Sequence, residues 1–173
     1  QLYVSANVAT PATIDLATVG SGVSTATGQT ITKLPGFPDA LGISIDSHQF
    51  FFADLDASVA GMDTVYIADE GATAGIRKFT LAGGTWSHTG NFALGGGRAI
   101  RGLTGTVSGT TATLYFTSNS SSSWGELFSF VDSSGYNANM PAPQSGVNLF
   151  ALYSSAANTA LRGVALAPVA APP

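Results

Sequence analysis

The sequence predicts an all-β chain built from repeated antiparallel units, and three observations carry that expectation. Short runs rich in Val, Ile, Leu, Phe and Tyr alternate with Ser, Thr and Gly and are separated by turn residues. Charged residues make up only 9% of the chain, against about 25% in an ordinary globular protein. Ser, Thr, Asn and Gly therefore have to supply the polar faces, and they suit strand exteriors and turns. Several of the runs also repeat one another in the same order.

Taken from the N-terminus, 2–6, 13–17 and 29–34 read as strands, with the Gly-rich string "VGSGVSTATG" as turn between the last two. Next come 41–45, 49–54, 64–68, 76–81 and 84–88, the last two joined by "AGGT". The C-terminal half offers 99–107, 111–117, 126–131, 147–153 and 161–167, with "SGT" and "DSSG" as turns. Gly102 and Gly105 threaten to interrupt 99–107, since glycine inside a strand marks a bulge or a close backbone approach. Nothing reads as a long amphipathic helix; 151–159 fits a strand end and loop better.

The repetition sorts the runs into types. "IRGLTGTV" at 100–107 matches "LRGVALAP" at 161–168, and "LGISID" at 41–46 fits the same slot less well. "LYVSAN" at 2–7, "VYIADE" at 65–70 and "LYFTSN" at 114–119 share an apolar-Tyr-apolar opening. "GIRKFTL" at 75–81 and "GELFSFV" at 125–131 both start on Gly and alternate. One unit then spans 41–92, a second 99–153, and a third is split between 161–167 and 2–34 of a single domain covering 1–167. About three β-propeller-like blades result, whereas closed propellers have at least about four. Two copies completing one ring, the C-terminal strand filling a gap in a neighbouring copy, and a piece of a longer propeller all satisfy that count. The Pro-rich tail 168–173 lacks donors for pairing and reads as an extended arm or frayed end.

The segments "FFFADLDASVAGMDTVYIADEG", "GIRKFTLAGGTW", "RGLTGTVSGTTATLYFTS", "GELFSFVDSSGY" and "ANTALRGVALAP" resemble poorly characterised bacterial secreted or cell-surface proteins with β-propeller-like repeats. The likeness runs from about Phe50 to Pro168 and is looser over the first forty residues. It implies export and an all-β fold, and it transfers no catalytic residue. The chain differs from such proteins in being short and in showing no anchor.

Composition narrows the function further. There is no Cys, which removes disulfides, thiol chemistry and cysteine metal sites. The net charge is −4 with no basic cluster, so nucleic acid is a poor partner. Apolar runs are too short for a membrane span. The start at Gln1 suits either an arbitrary cut in a longer chain or a processed terminus, and the low-charge, Ser/Thr-rich composition suits an exported protein.

The candidate site residues each have a chemical reading and a plainer one. Asp54, Asp56 and Asp63 offer oxygen ligands for Ca²⁺, but without the EF-hand spacing, and Asp side chains that satisfy turn N–H groups explain the same string. Asp69 and Glu70 close a strand in the same polar way. Asp46 and His48 can share a strand face, yet no nucleophile elbow accompanies them, so a serine hydrolase is not expected. His88 reads as the partner of Trp86 on an outer strand. Arg101 and Arg162 occupy equivalent repeat positions and are expected to pin neighbouring blades. Tyr3, Tyr66 and Tyr115 are expected to pack between sheets. Trp86, Trp124, Phe50, Phe51 and Phe52 are the candidates for a sugar-stacking patch, against burial at a blade junction. Asn119-Ser120-Ser121 is a glycosylation sequon. The expectation is therefore a non-enzymatic extracellular structural protein, with no cofactor, that self-assembles into oligomers or filaments. A glycan- or protein-binding surface module is the alternative.

Overall fold

The structure, a computed structural model, describes residues 1–6, 16–37, 45–71, 75–95, 98–119, 125–144 and 146–167. Every regular element among them is a strand, eleven in all: β1 (Leu2–Ser5), β2 (Leu16–Val19), β3 (Ile31–Lys33), β4 (Ser47–Ala53), β5 (Thr64–Asp69), β6 (Gly75–Ala82), β7 (Thr85–Phe92), β8 (Ala99–Ser108), β9 (Thr111–Asn119), β10 (Gly125–Asp132) and β11 (Leu149–Ser154). They form three antiparallel sheets ordered β1-β2-β3, β4-β5-β6-β7 and β8-β9-β10-β11. Each strand pairs with its sequence neighbour, and tight Gly-rich turns such as Gly83-Gly84, with φ of 58° and 80°, allow it.

The three sheets are stacked. In β5 every residue is buried, and alternate side chains enter different cores: Val65 and Ile67 pack with Leu16, Phe37, Phe79 and Trp86 toward β1–β3, while Tyr66 and Ala68 pack with Phe92, Leu103, Phe116 and Phe130 toward β8–β11. The period-2 geometry of a strand places its two faces against two neighbours. Aromatic pairs fill both layers, Phe37 on Phe79 at 4.5 Å and Phe92 on Phe130 at 4.4 Å.

The middle sheet also carries charge into both cores. Arg77 and Lys78 are adjacent on β6 and buried on opposite faces. Arg77 Nε lies 2.6 Å from Asp69. Lys78 Nζ donates to Asp132 at 2.9 Å, Ser134 at 3.0 Å and the Gly135 carbonyl at 2.6 Å, so all three of its donors are used. Tyr66 Oη donates to the same Asp132 oxygen at 2.7 Å, tying the second sheet to the third. Burial pushes Asp132 up, but the hydrogen bonds from Ser134, Lys78 and Tyr66 outweigh it and hold the carboxyl below its ordinary range.

Three sequence expectations meet the structure in different ways. Residues 41–44 of "LGISID" lie outside the described residues, and the leading strand of that unit is Ser47–Ala53. The run 99–107 is one continuous strand despite its glycines, with a register shift between Ile100 and Gly102. Residues 161–167 carry no regular secondary structure and pair with no strand among the described residues. The described residues form three antiparallel sheets of three or four strands, and no closed sheet is among them.

Candidate assembly surfaces

The leading strands of the second and third sheets lie side by side, and the segment 161–167 joins them. Pairing of β4 with β5 sets Phe50 opposite Ile67 and Phe51 opposite Tyr66; pairing of β8 with β9 sets Leu103 opposite Phe116 and Thr104 opposite Tyr115. With "VYIADE" matched to "LYFTSN", His48 corresponds to Arg101, Gln49 to Gly102 and Phe50 to Leu103. Both strands shift register at this same place.

Gln49 gathers the hub. Its Oε1 accepts the Leu103 N–H at 2.9 Å and the Val164 N–H at 3.4 Å, and Leu103 and Val164 hold the same repeat position. The Arg-Gly repeat then has a steric cause. A Cβ on Gly102 would sit 2.4 Å from Thr117 Oγ1 and 2.9 Å from the Gly163 Cα, so only glycine lets the two segments approach. Gly163, at the matching position, meets nothing closer than Gln49 Oε1 at 3.9 Å.

The leading Gly of "GIRKFTL" and "GELFSFV" has a similar origin. The chain leaving each unit crosses over it: a Cβ on Gly75 would meet the Phe92 carbonyl, and one on Gly125 would lie 2.5 Å from the Leu161 nitrogen.

Arg101 forks onto Glu70 of the neighbouring sheet, with Nε 2.7 Å from Oε2 and Nη2 on Oε1. This is the cross-sheet pin expected of it. Hydrogen bonding to Arg101 lowers Glu70 below its ordinary range despite partial burial, and the Arg101 and His48 charges add to that. His48 Nε2 lies 2.8 Å from Glu70 and 3.6 Å from Asp46, a close contact rather than a well-aligned hydrogen bond. Asp46, His48 and Glu70 are the one group of three acid or His side chains, among the described residues, with ligand atoms within 4.8 Å of one another. The guanidinium already on Glu70 supplies the cationic charge there. Both carboxylates face the same imidazole nitrogen, and the Ser5 hydroxyl donates to the His48 carbonyl, not to its ring. That is a strut between sheets rather than a relay for nucleophilic catalysis. Arg162 is exposed and forms no ion pair with any described residue.

The acidic trio divides. Asp63 is buried and accepts the N–H groups of Leu55 and Asp56, at 3.0 Å and 2.6 Å, and the Thr64 hydroxyl. Asp56 accepts the N–H and hydroxyl of Ser58, and Asp54 is exposed. The lone pairs of Asp56 and Asp63 thus serve a turn. The aromatic candidates are dispersed too: Trp86 is buried against Phe37 and Phe52, Phe50 lies on the same side, and Phe51 points to the opposite core. His88 packs edge-on against Phe79. Trp124, Ser120 and Ser121 fall outside the described residues, as does the tail 168–173.

The two end faces of the stack are not among the sequence expectations. Tyr66 faces the third sheet and Tyr3, through Phe52 at 4.6 Å, faces the second. Tyr115, at the same position in the last unit, faces outward, and cross-strand register puts Leu127, Val131, Phe150 and Tyr153 on its face. Phe150 is 41% and Tyr153 56% exposed. At the other end, Leu2, Val19 and Ile31 form one cross-strand row pointing away from the second sheet, with Leu2 42% and Ile31 51% exposed. The only signal for either face is the Tyr repeat. No family model matches the chain, and no curated protein or solved structure is significantly similar to it.

Proposed function

We propose that the chain is an extracellular structural protein that self-assembles head to tail, each copy completing a propeller-like blade of the next. The observation that supports this is the pair of apolar end faces on a stack whose internal layers are made the same way. In the two internal layers, the Tyr-bearing face of one sheet packs on the apolar-flank face of the following sheet. The ends offer one face of each kind, Tyr115 with Phe150 and Tyr153 at one end and Leu2 with Ile31 at the other. An apolar surface of this kind marks an interaction site. A joint between two unlike faces is heterologous, so copies add in one direction into filaments unless the rotation closes a ring. Three sheets from each of two copies would make six, within the usual range of propellers. Low charge supports export and close stacking alike, because little like-charge repulsion opposes it.

Sedimentation velocity over a wide concentration range, with negative-stain electron microscopy of the same sample, tests the reading. Species at multiples of the 17.5 kDa chain, or regular filaments, are expected. A monomer throughout the range overturns it.

A further inference from the structure

We infer that residues 161–167 of one copy form the leading strand on the edge of β1 that no described strand pairs, in a second copy and antiparallel to it, with Val164 opposite Val4, Ala165 opposite Tyr3 and Leu166 opposite Leu2. This rests on the self-assembly reading and specifies its joint.

Three independent features agree on the register. The first is repeat equivalence. The two complete units pair leading and second strands identically, Phe50 with Ile67 and Phe51 with Tyr66, Leu103 with Phe116 and Thr104 with Tyr115. "LRGVALA" matches "IRGLTGT", and "LYV" matches "VYI" and "LYF". Carrying the pairing across gives the stated partners. The first sheet has no leading strand among the described residues, and 161–167 has no second strand.

The second feature is side-chain direction. Val65 and Ile67 face the preceding sheet and Tyr66 the following one; Leu114 and Phe116 face the preceding sheet and Tyr115 the end. β1 obeys the same rule, with Tyr3 on Phe52 of the following sheet and Leu2 pointing away. No preceding sheet lies among the described residues, and a second copy's β8–β11 would supply one. A slip of one residue would invert every side chain.

The third feature is backbone polarity. The Leu2 N–H donates to the Gly22 carbonyl on the β2 side, at 2.9 Å. Successive peptide groups along a strand point to opposite edges, so Tyr3 and Ser5 present theirs to the other edge. Val164 turns its N–H to Gln49, so Gly163 and Ala165 present theirs the other way. The donors and acceptors of Tyr3 and Ser5 thereby meet those of Ala165 and Gly163. Val164 and Val4 become a non-hydrogen-bonded pair, the type with the closest side chains.

The chain lacks cysteine, so cross-linking reads the register directly. Val4→Cys and Val164→Cys chains are mixed under mild oxidation, with Leu2→Cys and Leu166→Cys as a second pair should either variant fold poorly. A disulfide-linked dimer is expected in each mixture and in neither chain alone, because directly opposed positions meet the spacing a disulfide needs. Val4→Cys mixed with Ala165→Cys, one residue out of register, is expected to give at least ten-fold less. Equal yield from both mixtures, or no yield in a sample that sedimentation shows to be assembled, overturns the register while self-assembly stands. A wild-type chain that remains monomeric overturns both.

Discussion

At the scale of single residues, this chain places several of its sparse charges in its interior. Asp63, Asp69, Arg77, Lys78 and Asp132 are all buried, and each has partners that make burial tolerable. Lys78→Ala would strand Asp132 in an apolar layer, and a loss of about 3–5 kcal/mol is expected in denaturant unfolding. Lys78→Met combined with Asp132→Leu should recover only part of that, since it removes the unpaired charge but leaves the Tyr66 hydroxyl and the Gly135 carbonyl without these partners. Acid sensitivity follows from the same groups. Asp132 and Glu70 both sit below their ordinary range in the folded chain. The stability they supply is therefore complete above the ordinary carboxylate pKa of about 4 and is lost as pH falls through the lowered values. Thermal melts should show a falling Tm on that acid limb, and a shallower fall for Glu70→Gln.

At the scale of elements, the repeat is defined by where chains cross. Gly102 and Gly163 occupy the same slot but different surroundings, and this gives opposite expectations for one substitution. Gly102→Ala drives a methyl into Thr117 and the Gly163 backbone, and about 1–3 kcal/mol of destabilisation is expected from such overpacking. Gly163→Ala reaches only ordinary van der Waals contact with Gln49 and should change the unfolding free energy of the dilute chain by less than about 0.5 kcal/mol. Equilibrium unfolding of the two variants side by side checks this. A large effect at Gly163 would mean that the segment is already covered in the dilute chain.

At the scale of the whole molecule, the stack is a run of similar layers with two unlike ends. Residues at those ends are exposed, so Ile31→Lys or Phe150→Lys should leave the melting temperature nearly unchanged. Either should shift sedimentation toward the monomer, because each puts a charge into the proposed apolar joint. Assembly should also persist in about 1 M NaCl, where the screening length is about 3 Å and only apolar contact and strand pairing remain effective. Dissociation by salt would instead assign the joint to ion pairs such as one at Arg162.

The all-β character, most strand positions and the order of strand types are determined by the sequence itself, because period-2 alternation and turn glycines are local properties. The repeat of Tyr3, Tyr66 and Tyr115 is legible for the same reason. What the repeats do to each other is not. "LGISID" reads as a leading strand, but its residues 41–44 lie outside the described residues; the strand that pairs with β5 is Ser47–Ala53, and only the pairing of Phe50 with Ile67 shows that. The carboxylate that Lys78 meets lies 54 residues away, and nothing in either local string announces it. The end faces are the plainest case: Tyr66 and Tyr115 are alike in sequence, and one is buried while the other is not, solely because a sheet follows the first. Burial on a strand's second face is decided by the neighbouring layer, so it belongs to the tertiary structure.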